Sequence, residues 1–159
     1  SFQLDPVKNV LALFLSEVLF RVVKDTQPDE RMYAFLTDSV RILDSVEQGL
    51  ANFHVAFLLN LLHYLGIFPN VEHPRDALYF DMLNGIFVCQ QPAHPYYLQP
   101  AETVVFQRLL KMSYENMSLY AFSRQDRVRI LHRIFEYYQL HLPDFKEIRS
   151  LQILQSLFD

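Results

Sequence analysis

Apolar residues recur every three to four positions through most of this chain, with one interruption. This spacing predicts helices that bury one face each. The first helix runs over about 6–24, from Pro6 to Lys24. It is apolar nearly all round, as expected of a buried helix. Within it, Glu17 and Arg21 stand four residues apart in the favourable order, worth about 0.3–0.5 kcal/mol. A second helix begins at "QPDER". Pro28 suits its first turn, and Asp29 and Glu30 complement the positive end of its dipole. Met32, Phe35, Leu36, Val40, Leu43 and Val46 follow at helical spacing, and Gly49 marks a break. In "LANFHVAFLLNLLHYLG", a third helix buries Phe53, Phe57, Leu58, Leu61, Leu62 and Leu65. Gly66 is its expected cap, and Pro69 prevents continuation.

The interruption spans about 66–99 and carries four of the eight prolines. Inside it, "ALYFDMLNGIFVC" sets β-formers on both sides of a turn ending in Asn84-Gly85, which predicts a short hairpin. Helices resume at "PAETVVFQRLLKMS", with Pro100 at the start. The segment "YENMSLYAF" reads as no more than a short helix. Ser123 and Asp126 form a capping box opening a helix to about Leu140. Asp144 and Glu147 form another, opening the last helix through "IRSLQILQSLF". The expectation is an all-α, bundle-like domain with a short β-hairpin insertion at about 70–99.

Composition narrows the classes. A chain of 159 residues, 51% apolar with fourteen Phe and nine Tyr, suffices for one domain with a real core. A net charge of −4 excludes a broadly basic nucleic-acid binder, so any such surface is a local patch. One cysteine forbids an internal disulfide, and that fits a reducing compartment. The longest apolar run, "NVLALFLSEVLFRVV", is broken by Glu17 and Arg21 and falls short of the roughly 20 residues that span a bilayer. No basic segment precedes it, which argues against a signal peptide.

Catalytic chemistry is hard to find. His54 and His63 are nine residues apart, as are His132 and His141. Each pair therefore falls on opposite faces of its helix, and no helix presents a two-histidine metal edge. Cys89 follows Ile86, Phe87 and Val88 and reads as a small apolar residue. No phosphate-binding glycine loop or nucleophile elbow occurs. The expectation is a protein that is not an enzyme and needs no cofactor. A metalloenzyme built on His73, Cys89 and His94 stands as an alternative. The segment "SRQDRVRILHR" gathers Arg124, Arg127, Arg129 and Arg133 on one helix. Arg129 and Arg133 share a face, and Arg124 and Arg127 share another. Such a cluster can hold phosphates, or it can be a solvated face partly neutralised by Asp126 and Glu136. A further reading is a helical interaction module, whose Arg- or Lys-rimmed apolar grooves take acidic peptides.

Three blocks in order, "LFLSEVLFRVVKDTQPDERMYAFLTDSVRILD", "NFHVAFLLNLLHYLGIFPN" and "YYQLHLPDFKEIRSLQIL", resemble the C-terminal domain of the bacterial RecO family of recombination mediators. The likeness covers almost the whole chain, 1–159, and the last block is similar to the Bacteroidetes-type variant. Many members carry a four-cysteine zinc knuckle where the hairpin is expected. Here "NVEHPRDA" has no cysteine, and "VCQQP" offers only Cys89, with Pro92 in place of a second ligand. One thiolate cannot close a structural zinc site, so the resemblance implies the knuckle's shape without its metal. Packing by Tyr79, Phe80, Phe87 and Tyr96 is then expected to replace the metal's contribution.

The resemblance implies an N-terminal OB-fold domain in the full-length protein, absent here, and the start at Ser1 fits a piece of a longer chain. It implies cytoplasmic work in DNA repair and recombination: annealing single strands and loading the recombinase. The implied partners are RecR, single-stranded DNA and the acidic, phenylalanine-ended tail of single-strand-binding protein. For the tail, the first and third helices point to Arg21 and Lys24 on the carboxylates and Phe53, Phe57 and Leu61 as the wall. For DNA they leave Arg124, Arg127, Arg129 and Arg133. The competing expectation is a helical scaffold with no nucleic-acid role.

Overall fold

A computed structural model describes residues 5–143, 145 and 148–157. Six α-helices and a three-stranded antiparallel sheet are found among them: α1 (Pro6–Asp25), α2 (Glu30–Ser45), α3 (Phe53–Tyr64), β1 (Tyr79–Asp81), β2 (Ile86–Val88), β3 (Tyr97–Leu98), α4 (Pro100–Leu109), α5 (Arg124–His141) and α6 (Ser150–Leu157). The chain is a helical domain with a small β insertion. None of the described helices is long and apolar enough to cross a membrane.

Local chemistry sets the boundaries. The Asp5 carboxylate accepts the Val7 and Lys8 N–H groups at the start of α1, with Pro6 at the first helical position. Asp29 caps α2 by accepting the Met32 N–H, so Pro28 lies just ahead of the cap and not inside the first turn. Ser123 caps α5 through the Asp126 N–H. Gly66 ends α3 in the left-handed region, at φ 74°, while the Ile67 N–H reaches back to the Leu62 carbonyl.

The centre of the molecule is α3. Every residue from Phe53 to Leu59 is buried, so neighbours enclose this stretch of the helix on all sides. Along one flank, Phe35, Phe57, Phe53 and Tyr114 lie nearly parallel, with successive centroids 5.7, 6.4 and 5.3 Å apart. Such aromatic contacts add about 0.5–1.5 kcal/mol each beyond their buried area. Helix α2 meets this flank with Met32, Phe35, Leu36, Ser39 and Leu43. Val40, expected inward from its spacing, is 41% exposed, and Ser39 takes the inner slot. Its hydroxyl is satisfied there by the Phe35 carbonyl at 2.8 Å and the Tyr114 hydroxyl at 2.6 Å. Across the core, the Tyr138 hydroxyl donates to the Leu58 carbonyl.

Two close approaches fix the surroundings of α3. A single 3-10 turn, Leu50–Asn52, precedes it, and a second, Met117–Leu119, lies against the first. Asn52 is buried and donates to the carbonyls of Met117 and Tyr120 at 3.0 and 2.9 Å. Gly49 has φ 81°, and a Cβ there would stand 2.9 Å from the Ser118 backbone. Only glycine allows both the dihedral and the approach.

Instead of two strands the insertion has three, in the order β2-β1-β3. Phe80 pairs with Phe87 on one side and Leu98 on the other, and all three are buried. Thr103 of α4 fastens the sheet to the helices: its hydroxyl accepts the Phe80 N–H at 3.1 Å and lies within bonding distance of the Leu98 and Gln99 carbonyls.

The last helix begins at Ser150, later than its sequence pattern predicts; Asp144 and Glu147, the expected capping box, lie outside the described residues. Its N-terminus is held from α1. Glu17 accepts the N–H groups of Arg149 and Ser150, both at 2.8 Å, so its carboxylate is engaged there and not simply as the partner of Arg21.

Two outcomes test this core. Glu17→Ala is expected to lower stability by about 1–2 kcal/mol, read by urea denaturation, since two N–H groups of α6 lose their acceptor. His54 is wholly buried, and desolvation, helped by the nearby Arg127 charge, lowers its pKa from 6.5 to about 3. The native state therefore binds fewer protons than the unfolded chain between those values. Stability is full above pH 6.5 and falls by up to about 1.4 kcal/mol per unit as pH drops toward 3. The His54→Leu variant should lose that share of the slope between pH 6.5 and 4.

Candidate functional site

Helices α4 and α5 diverge around an open groove of about 370 Å3. Its floor is apolar: Leu98, Phe106, Leu109 and Ile130 are buried core residues, joined by Val105 and Phe122. The polar rim holds Arg108 and Glu102 from α4, and Asp126, Arg129 and Arg133 from α5. Neither Arg108 nor Arg129 forms an ion pair with any described residue, so both guanidinium groups can meet a ligand. The size falls within the range of about 300–1,000 Å3 common to ligand pockets. Beside the groove, the outer face of α5 forms a broader, shallower shelf with Arg124, Gln125, Val128, Arg129, His132 and Glu136.

Arg133 bridges the two helices. Its Nε and Nη2 donate to the two oxygens of Glu102 at 2.9 and 3.1 Å, and Nη1 donates to Glu136 at 3.2 Å. The hydrogen bonds it donates to Glu102 push the already high pKa of Arg133 further up. Arg127, by contrast, is half-buried, and desolvation lowers its pKa. The four arginines expected to form a patch are therefore unlike. Arg124 and Arg129 are exposed, Arg133 is committed to carboxylates, and Arg127 turns toward the core beside His54.

The residues expected to receive a peptide tail are not brought together. Phe53, Phe57 and Leu61 are completely buried and line neither the groove nor the shelf, a correction to the wall assigned to them: their neighbours leave them no solvent face. Arg21 is half-buried and Lys24 exposed on α1, and neither lines the groove. The residues that do shape the groove, Phe106, Leu109, Phe122 and Arg108, went unmarked in the sequence. The one available signal was an arginine beside apolar residues in "VVFQRLL".

In the β insertion, His73, Cys89 and His94 each have their own partner. The Cys89 thiol donates to the Asp76 carboxylate at 3.2 Å, which raises its pKa, opposite to what a metal thiolate needs. Both His94 nitrogens are engaged. Nδ1 accepts the Tyr96 N–H at 3.0 Å, so Nε2 carries the hydrogen and donates to the buried Asp81 at 2.9 Å. Asp81 also accepts the Asn84 N–H and side-chain amide. The His73 Nδ1 lies 2.8 Å from the Pro74 carbonyl. No cluster of three or more metal-ligating side chains occurs among the described residues. A zinc knuckle does not fit this set. The polar clasp of Asp81, Asn84 and His94 closes the turn, while the Phe80 ring packs against those of Phe87, Phe106 and Tyr137. Tyr79 meets Tyr97 edge-on, and the exposed Tyr96 stacks on His94.

A helical domain with a small three-stranded insertion has a counterpart among known families. The profile described as "Recombination protein O C terminal" matches residues 3–151. The chain belongs to the RecO C-terminal family. Relatives named DNA repair protein RecO include that of Bacteroides fragilis, 41% identical over 160 residues, covering 100% of this chain and 66% of that protein. The RecO of Azobacteroides pseudotrichonymphae is 39% identical over 155 residues, covering 98% and 64%. That of Porphyromonas gingivalis is 35% identical over 159 residues, covering 99% and 65%. The chain thus spans just under two thirds of the length of these RecO proteins. No solved structure matches it.

Because the clasp closes the turn on Asp81, Asp81→Asn should destabilise the domain by about 1–3 kcal/mol in denaturation, with no response to added zinc or chelator.

Proposed function

We propose that this chain is the helical part of a non-catalytic, cytoplasmic mediator of DNA repair and recombination, and that the α4–α5 groove is its docking site for the acidic, phenylalanine-ended tail of single-strand-binding protein. The observation that carries this reading is the apolar floor between two arginines without ion pairs, Arg108 and Arg129. An aromatic end buries its ring against Phe106, Phe122 and Ile130, while neighbouring carboxylates take charge-assisted hydrogen bonds from the rim. Membership of a family whose relatives are named for DNA repair supports a partner from that process.

On this reading the domain brings single-stranded DNA coated by single-strand-binding protein together with RecR for annealing and recombinase loading. Arg124 and Arg129 on the α5 shelf add a phosphate contact to the larger one expected of the N-terminal OB-fold. Arg133 and Arg127 contribute less to DNA, being engaged or half-buried.

The test is a titration with a labelled copy of the tail at low and moderate salt, beside a copy lacking the terminal phenylalanine. Binding is expected to be saturable, salt-sensitive and dependent on that residue. Arg108→Ala and Arg129→Ala should each weaken it by about tenfold, whereas Arg21→Ala should leave it unchanged. Absence of binding at both salts would favour the scaffold reading.

A further inference from the structure

Glu102 and Arg133 form the divide between the apolar groove and the α5 shelf, because both residues line both openings. Their pairing is bidentate, at 2.9 and 3.1 Å, and the side chains are 21% and 32% exposed. An ion pair this sheltered is screened less by salt than a surface pair. Glu136 holds the remaining edge of the guanidinium at 3.2 Å. Arg133 is thus the groove arginine already occupied by carboxylates of the chain itself, while Arg108 and Arg129 are not. A ligand carboxylate reaching Arg133 must displace one of its own kind.

We propose that Glu102 is a resident competitor for Arg133. A partner's carboxylate replaces it on Nε and Nη2, and groove and shelf then join into one trough along α5. The inference rests on the docking reading above and extends it from the aromatic end of the ligand to the acidic run behind it. Exchange of one bidentate carboxylate for another changes the pair energy little, and Glu136 keeps the guanidinium from being left alone during the exchange. The number of acidic residues in the ligand then decides whether the trough opens. A ligand with one carboxylate sits in the groove with the divide closed, and an acidic run displaces Glu102.

Removing any acid near the groove helps an acidic ligand, so the test compares two. Asp126 lines the same groove, and no ion pair joins it to Arg133. A phenylalanine-ended peptide with an acidic run, and one with neutral residues in place of that run, are titrated into the wild-type chain, E102Q and D126N. E102Q should tighten the acidic peptide by about tenfold or more, the scale of one added charge-assisted hydrogen bond. D126N should tighten it by less than about fivefold, the scale of an exposed charge. For the neutral-run peptide E102Q should change little. Binding of the acidic peptide by E102Q alone would also support the proposal. Equal tightening by both variants reduces Glu102 to general repulsion, and weakening by E102Q makes it a positioning residue for Arg133. Either result overturns the proposal while leaving the docking reading intact. No binding by any of the three removes both.

Discussion

The enclosure of α3 from Phe53 to Leu59 is the constraint that the rest of the structure obeys. A helical stretch buried on every side cannot exchange its apolar residues with solvent, so each neighbour must supply a matching face. Ser39 and Tyr114 enter the interior bonded to each other, and Asn52 enters it with its side-chain amide N–H groups on two backbone carbonyls. Gly49 is the backbone counterpart, a place where two segments around α3 come closer than any side chain permits. Enclosure also explains why functional surface lies elsewhere. The open groove forms at the outer pair, α4 and α5, where two helices meet the centre from one side and leave a gap between them.

Much of the fold was legible in the sequence. Helix starts at Asp5–Pro6, Asp29 and Ser123 carry local capping chemistry, and Gly66 carries its own stop. These signals lie within one or two turns of the residues they govern. What escaped depends on residues far apart. Glu17 reads as one half of an i,i+4 pair, yet its carboxylate holds a helix 133 residues away. Val40 and Ser39 are both compatible with a helical stripe, and only Tyr114 decides between them. The third strand, two residues long, joins the hairpin because Thr103 and Leu98 anchor it, which no alternation of apolar residues announces.

The candidate site was legible in kind but not in place. Arginines near apolar residues on the last long helix indicated anion binding, and aromatics indicated a pocket. The sequence could not say that the aromatics of α3 are sealed inside while those of α4 and the segment before α5 reach an opening. Nor could it separate four arginines that a helical wheel treats alike. Burial, pairing and exposure part them only after α4 has packed beside α5, because Glu102 selects Arg133 and the core takes Arg127. The insertion teaches the same lesson: Asp81, Asn84 and His94 tie its turn through hydrogen bonds that the spacing of apolar residues does not announce.

The clasp between Glu17 and α6 has a consequence for how the chain is made. A ribosome delivers α1 first and α6 last, at about 5–20 residues per second, so their joining waits on the order of ten seconds. During that interval Leu11, Phe14, Leu15 and Val18, all buried in the finished domain, lack part of their cover. Vectorial synthesis cannot complete this domain from its leading end; α1 remains a sticky, half-clothed helix until the trailing one arrives, and it is the natural place for a nascent-chain chaperone to hold.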